Sequence, residues 1–176
     1  MTFQRIVVVG TTGSGKTTMA GRLAHKLNYP HTELDALSWG PDWTLRPNDE
    51  FLARVEEATR GQNWVVDGNY SRSQEMVWGR ADTIVWLDYP LYLIMWRRWW
   101  RTWGRWWKRT ELWSGNRERL WEHFFTGDSL FLWALKTYKR RRREYPELLN
   151  RPEYAHLTTF RFHSPRQAQK WLMEIQ

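Results

Sequence analysis

Residues 10–17 read Gly10, Thr11, Thr12, Gly13, Ser14, Gly15, Lys16 and Thr17, and fit the pattern G-x-x-x-x-G-K-[ST]. The flanks constrain the fold more than the motif alone. The β-branched run Ile6-Val7-Val8-Val9 precedes it, and residues 16–27 carry Met19, Ala20, Leu23, Ala24 and Leu27 at helical spacing. A buried strand, a glycine-rich turn and a helix in that order form a phosphate cradle. Glycines let successive backbone N–H groups turn inward, and the N-terminal end of the helix adds a positive field. The pattern assigns Lys16 to the β- and γ-phosphates of a nucleotide and the Thr17 hydroxyl to magnesium.

Short apolar runs recur at 31–34, 64–67, 83–87 and 157–162, each read as a strand. Between them the periodicity predicts helices over 49–60, 91–109 and 165–175, and over 118–125 and 129–143 on weaker patterns. Strands alternating with helices imply βαβ units and a parallel sheet covered on both faces. The stretch from about 90 to 150 breaks this rhythm. It is long, helical and basic, and reads as an insertion in a single domain spanning 1–176.

Charge sharpens the contrast. Residues 1–88 carry 9 basic and 11 acidic side chains, net −2, and residues 89–176 carry 18 and 8, net +10, summing to the chain's +8. Such asymmetry points to an anionic ligand for the second half. The absence of cysteine excludes disulfides, cysteine-based zinc sites and a cysteine nucleophile. No secretory leader or membrane-spanning run is visible, and the expected location is the cytoplasm. The five histidines show no metal spacing.

A phosphate loop of this kind needs a second carboxylate near its metal, at the end of a neighbouring strand. Asp35, Asp67 and Asp88 each follow an apolar run, and ligands of open α/β sheets gather at the carboxyl ends of the strands. Asp67 is the expected magnesium-side residue. Asp88, just before Pro90, is expected to end its strand and cap the next helix.

These residues resemble the adenylate-kinase-related P-loop kinases, in particular the bacterial branch described as adenylate kinase-like or "DNA topology modulation" proteins. The likeness rests on the loop Gly10–Thr18, Asp35, the segment 64–70, the strand and proline of 83–90, and the arginine-rich stretch that follows. It implies an α/β three-layer P-loop sandwich with a five-stranded parallel sheet in the order 2-3-1-4-5 and a mobile, helical, basic lid. It also implies ATP as phosphoryl donor with Mg²⁺, Arg97 and Arg101 as the lid-base arginines on the ATP phosphates, and Arg166 in the adenine-contacting loop after the last strand.

The resemblance has departures. Asn69-Tyr70-Ser71 stand where the family's Asp-Gly-Phe-Pro-Arg motif has Phe-Pro-Arg, and an arginine arrives one place late, at Arg72. Adenylate kinases carry an arginine three residues after the aspartate of the second strand, and here that position is Ser38. In related small-molecule kinases, such as shikimate kinase, an aspartate in that region holds the acceptor hydroxyl. Asp35 is therefore either a base or orienter for an acceptor or a helix-capping or loop aspartate. The acceptor is expected beside Asp35, Trp39 and Arg72.

On a helical wheel, all six tryptophans between Trp96 and Trp107 fall within an arc of about 120°, while Arg97, Arg98, Arg101, Arg105, Lys108 and Arg109 occupy the far side. Three readings follow. The tryptophans pack on the body and the arginines face a cleft. Alternatively, the helix binds nucleic acid, or it lies on an anionic membrane surface. The first is the expectation. The basic run 136–143 is expected to be a solvated helix C-terminus. Together these features point to a kinase that transfers the ATP γ-phosphoryl to a small molecule. The alternatives are a nucleic-acid-binding ATPase and a non-catalytic nucleotide-binding switch.

Overall fold

The computed structural model of the chain describes residues 3–108 and 130–175, with side chains described except at residue 98 and residues 101–135. The helix expected over 118–125 and the side chain of Arg101 lie outside the described residues.

Five parallel strands, β1 (Arg5–Gly10), β2 (His31–Glu33), β3 (Trp64–Asp67), β4 (Thr83–Leu87) and β5 (Thr158–Phe162), form one sheet in the order β2-β3-β1-β4-β5. This is the order the resemblance implies. The central register sets Val7 between Val66 and Ile84, and Val8 between Asp67 and Val85. Because side chains alternate across a strand, this register sorts them onto two faces. Ile6, Val8, Val65, Val85 and Leu87 pack against α1 (Lys16–Leu27) and α7 (Pro165–Glu174). Val7, Val9, Val66, Ile84 and Trp86 pack against α3 (Asn48–Ala58), α4 (Ser71–Arg80) and α6 (Leu130–Leu149). A strand buried on both faces has no reason to alternate apolar with polar, so β1, β3 and β4 read as continuous hydrophobic runs.

Several elements depart from the sequence expectation. The second strand ends at Glu33, and Leu34–Ser38 turns into a short helix, α2, with Leu34 buried beneath Gly68. Gly68 has φ 143°, and a Cβ there would sit 2.7 Å from Leu34 Cβ, so close approach and backbone conformation both require glycine. Helix α4 has no counterpart in the sequence reading. It is mostly polar, and it is held by burial of Ser73, Val77 and Trp78 rather than by a full apolar stripe. Helix α6 passes through Pro146 to Leu149, so the basic run 136–143 lies inside the helix instead of at its end.

Helix α5 (Leu91–Lys108) forms as expected, but its described tryptophans do not pack on the body. Trp96, Trp99 and Trp100 are 61, 48 and 55 % exposed, while Ile94 is fully buried. The helix is anchored through Leu93 and Ile94, near its N-terminus, and through Arg97. The described part of the stripe, Trp96, Trp99 and Trp100, is exposed while α1, α6 and α7 pack on the sheet.

Candidate functional site

The cradle is built at the carboxyl end of β1. Gly10 (φ 151°) leaves the strand where a Cβ would lie 2.7 Å from the Leu87 carbonyl oxygen. Ser14 N donates to Thr11 O at 3.0 Å, which curls the loop. Gly15 caps α1 in a left-handed conformation with no side-chain cap, and the first turn holds no acidic residue. The field of this helix end, which no side chain caps, attracts an anion. Thr17 and Thr18 are exposed at this mouth.

Asn69 secures the loop's base. Its Oδ1 accepts from Gly10 N at 3.1 Å, and its Nδ2 donates to Gly10 O at 2.7 Å. Tyr145, from α6, donates to the same Oδ1 at 3.2 Å. Burial pushes the Tyr145 phenol above its ordinary pKa, which keeps it a donor. In the sequence Asn69 stands out only as part of the departure from the family's Asp-Gly-Phe-Pro-Arg motif. Its role depends on the three-dimensional neighbourhood of β1 and β3, and Tyr145 carried no local signal at all.

On the α5 side, Arg97 Nη1 donates to Ser14 O at 3.0 Å, and its guanidinium stands 5.4 Å from the Tyr89 ring centre. Here opens a cavity of about 360 Å³, lined among others by Gly13, Thr18, Tyr89, Arg97, Pro165 and Gln169. The sequence-expected Arg97 thus meets the loop directly. Arg166 is exposed on the first turn of α7 and does not line this cavity, whereas its neighbour Pro165 does. Ser164 caps α7 by accepting from Gln167 N at 3.3 Å.

Asp67 lies at the end of β3, 2 % exposed, with its side chain on the α1 face of the sheet. Its Oδ2 is buried without a hydrogen bond and stands 3.6 Å from His31 Nε2. A buried carboxylate oxygen with unused acceptor capacity, on the face that carries Thr17, fits a hard cation that takes oxygen ligands. The residues present therefore suit magnesium held by Thr17 and Asp67, directly or through water.

The far side of the loop carries the acceptor candidates. Asp35 sits on α2 and accepts from the Tyr70 hydroxyl at 2.7 Å. Burial, and then the adjoining Asp35 carboxylate, hold the Tyr70 phenol above its ordinary pKa, so Tyr70 stays protonated and Asp35 stays the acceptor. Arg72 Nη2 donates to Ser38 Oγ at 2.6 Å, and its guanidinium stacks 3.8 Å from the Phe51 ring centre. The two departures from the resemblance therefore touch. Arg72, from α4, thus brings a guanidinium to the Ser38 side chain. Trp39 meets Trp43 edge to face at 5.7 Å and forms a bridge with Leu45.

Asp88 corrects an expectation. It is 3 % exposed and its carboxylate is gripped rather than capping α5. Arg142 Nε reaches Oδ1 at 2.7 Å, and Arg161 reaches Oδ2 through Nε at 3.0 Å and Nη2 at 2.7 Å. Arg161 also stacks over Trp86 at 4.1 Å. The ends of β4 and β5 are thereby pinned to α6. The basic run contributes to this pin through Arg142, and Arg141 beside it is buried. It is not a uniform solvated face.

The five-stranded parallel sheet in this order has the fold of the P-loop kinases. Among solved structures, the chain is similar to shikimate kinase from Acinetobacter baumannii in complex with shikimate (16% identity, 98% of this chain and 92% of that one, TM-score 0.63). It is also similar to a gluconokinase from Sinorhizobium meliloti 1021 (21%, 97% and 91%, 0.54). A third is deoxyadenosine kinase from M. mycoides with bound dATP (12%, 96% and 96%, 0.53). At these identities the likeness is one of fold. No protein-family model matches the chain, and no curated protein matches it in sequence.

Proposed function

We propose that the chain is an ATP-dependent phosphotransferase of the adenylate-kinase-like type, which moves the γ-phosphoryl of ATP onto a hydroxyl of a small acceptor. The observation that carries this reading is the placement of the cradle between two different environments at one end of one sheet. On one side is the cavity under Arg97 and Tyr89, which suits a nucleotide. On the other is the Asp35–Tyr70–Arg72 cluster.

The loop from Gly10 to Thr18 wraps the phosphates with backbone amides, and Lys16 offsets charge on the β- and γ-groups. Magnesium on Thr17, with Asp67 near it, would neutralise charge on the same oxygens. Arg97 stands at the loop to stabilise charge on the transferred group, and the family resemblance gives the same task to Arg101, whose side chain lies outside the described residues. Tyr70 holds Oδ1 of Asp35 and leaves Oδ2 for the acceptor. The acceptor hydroxyl oxygen bonds to the γ-phosphorus as the bond to the bridging oxygen of ADP breaks, and its proton passes to Asp35. A carboxylate accepts a hydroxyl proton but repels a phosphate, so a hydroxyl acceptor suits this site better than a nucleotide monophosphate phosphate. Arg72, Ser38 and Trp39 frame that side. A lid expected within about 90–150 would exclude water on closing, and it would not include the C-terminal half of α6, where Tyr145, Leu148 and Leu149 pack against the sheet.

The test is ADP release from Mg-ATP over a panel of sugars, hydroxy acids, nucleosides and nucleoside monophosphates, with Lys16→Ala as control. Stimulation by one hydroxyl-bearing class, lost in the variant, is expected. Stimulation by DNA alone would replace this reading with a nucleic-acid ATPase.

A further inference from the structure

The aromatic face of α5 plays no part in phosphoryl transfer as drawn above. Tyr92, Trp96, Trp99 and Trp100 share one side of the helix. They are 76, 61, 48 and 55 % exposed, and Trp96 meets Trp100 edge to face at 5.6 Å. The opposite side is the attached one, where Ile94 is buried and Arg97 reaches the phosphate loop. Four large rings on one exposed helix face form a contiguous patch, which marks a contact surface far more often than scattered apolar residues do.

Chemistry selects among the occupants. A second copy would bring two chains of +8 together through their basic halves, each +10 over residues 89–176, and that like charge opposes the contact. Single-stranded nucleic acid needs cations beside the stacking rings to follow its phosphates; Arg97 reaches Ser14 instead, and helical spacing sets the helix's other arginines on the side away from the tryptophans. An anionic lipid surface needs neither. Tryptophan and tyrosine are the side chains that settle at the headgroup level of a bilayer. The attraction to anionic lipid acts over the reach of the surface potential and does not require a cation within the stripe. Exposed positive charge is present on the helix that packs against α5: Lys136, Lys139, Arg140 and Arg143 are solvent-facing on α6, the two arginines beside Glu144.

We propose that α5 lays its Tyr92–Trp96–Trp99–Trp100 face on an anionic lipid surface, with the helix in the plane of the interface. None of the described helices is long and apolar enough to cross a membrane. The nucleotide cavity lies on the Arg97 side of the helix and stays open to solution in this pose.

The experiment is cosedimentation of the full chain with vesicles of phosphatidylcholine alone and of phosphatidylcholine mixed with phosphatidylglycerol. The combined variant Trp96→Ala, Trp99→Ala, Trp100→Ala is run beside it, and Tm is measured for both proteins. The expected result is at least about tenfold stronger binding to the anionic vesicles, falling about tenfold or more in the variant at unchanged Tm. Failure of the wild type to sediment with anionic vesicles overturns the proposal, and so does equal binding by the variant. A dimer in solution that the three substitutions dissolve overturns it in favour of a second copy. Binding of a single-stranded oligonucleotide that the substitutions abolish, without vesicle binding, overturns it in favour of nucleic acid.

Discussion

Asn69→Ala removes one side chain and three hydrogen bonds at the base of the phosphate loop. Two run to the main chain of Gly10, at 3.1 and 2.7 Å, and one comes from Tyr145 at 3.2 Å. A hydrogen bond of this kind contributes about 1 kcal/mol net, and a buried group left without its partner costs about 1–3 kcal/mol. Asn69 is only half-buried, so water recovers part of the loss at Gly10. Tyr145 is buried and recovers less. The expected destabilisation is about 2–3 kcal/mol, a fall in Tm of roughly 5–10 °C for a domain of this size. The loop also loses its tether to β3 and α6, so Kd for ATP should rise about tenfold, equivalent to about 1.4 kcal/mol. Urea denaturation and isothermal titration with Mg-ATP measure the two effects. Lys16→Ala is the contrast, because it should weaken ATP with stability nearly unchanged. Asn69→Asp adds a second contrast. It keeps an acceptor for Gly10 N and Tyr145 but sets a carboxylate oxygen against Gly10 O, so ATP binding should suffer more than stability. Stability within about 0.5 kcal/mol of wild type, together with an unchanged Kd in Asn69→Ala, would refute the tether.

Three further outcomes follow from the same geometry. Asp35→Asn should lower kcat by about 10²–10⁴ with little change in ATP affinity, as loss of a general base does, while Tyr70→Phe, which only frees Oδ1, should cost much less; steady-state kinetics on the stimulated acceptor checks both. Asp88→Asn should destabilise the fold by about 2–3 kcal/mol in denaturant titration. That is less than the about 3–5 kcal/mol of a fully buried pair, because Arg142 and Arg161 remain 42 and 37 % exposed and can be hydrated. Gly68→Ala should cost at least about 2 kcal/mol by the same measurement, since the new Cβ meets Leu34 at 2.7 Å on a backbone with φ 143°.

The parts of this structure that the sequence displays are those with a local physical cause. The runs at β1, β3 and β4 are apolar because both faces of the sheet are covered, and the loop's glycines are required by its backbone. Lys16 and Thr17 belong to the loop pattern and Asp67 to the end of an apolar run, whereas Arg97 came with the family resemblance. The order of the strands came with the family resemblance, since no local pattern states which strand lies beside which. What stayed hidden depends on tertiary contacts. Helix α4 has too narrow an apolar stripe to be seen, and forms because Val77 and Trp78 find the core. Asp88 looked like a cap because nothing nearby in sequence shows that Arg142 and Arg161 converge on it. Ser38 and Arg72 are two separate departures in the sequence, and that they touch shows only once α2 and α4 are side by side. The tryptophan stripe misled for the opposite reason. Its period is genuine, but periodicity records that a face is apolar and not what lies against it.

The central claim is phosphoryl transfer, and the most direct measurement follows the phosphorus atom. With γ-labelled ATP, magnesium and the acceptor that stimulates ADP release, the label should appear in a phosphomonoester of that acceptor. Its amount should match the ADP formed, with neither product made by Lys16→Ala. Label recovered only as inorganic phosphate, or ATP bound without turnover in the presence of every acceptor, would contradict the account.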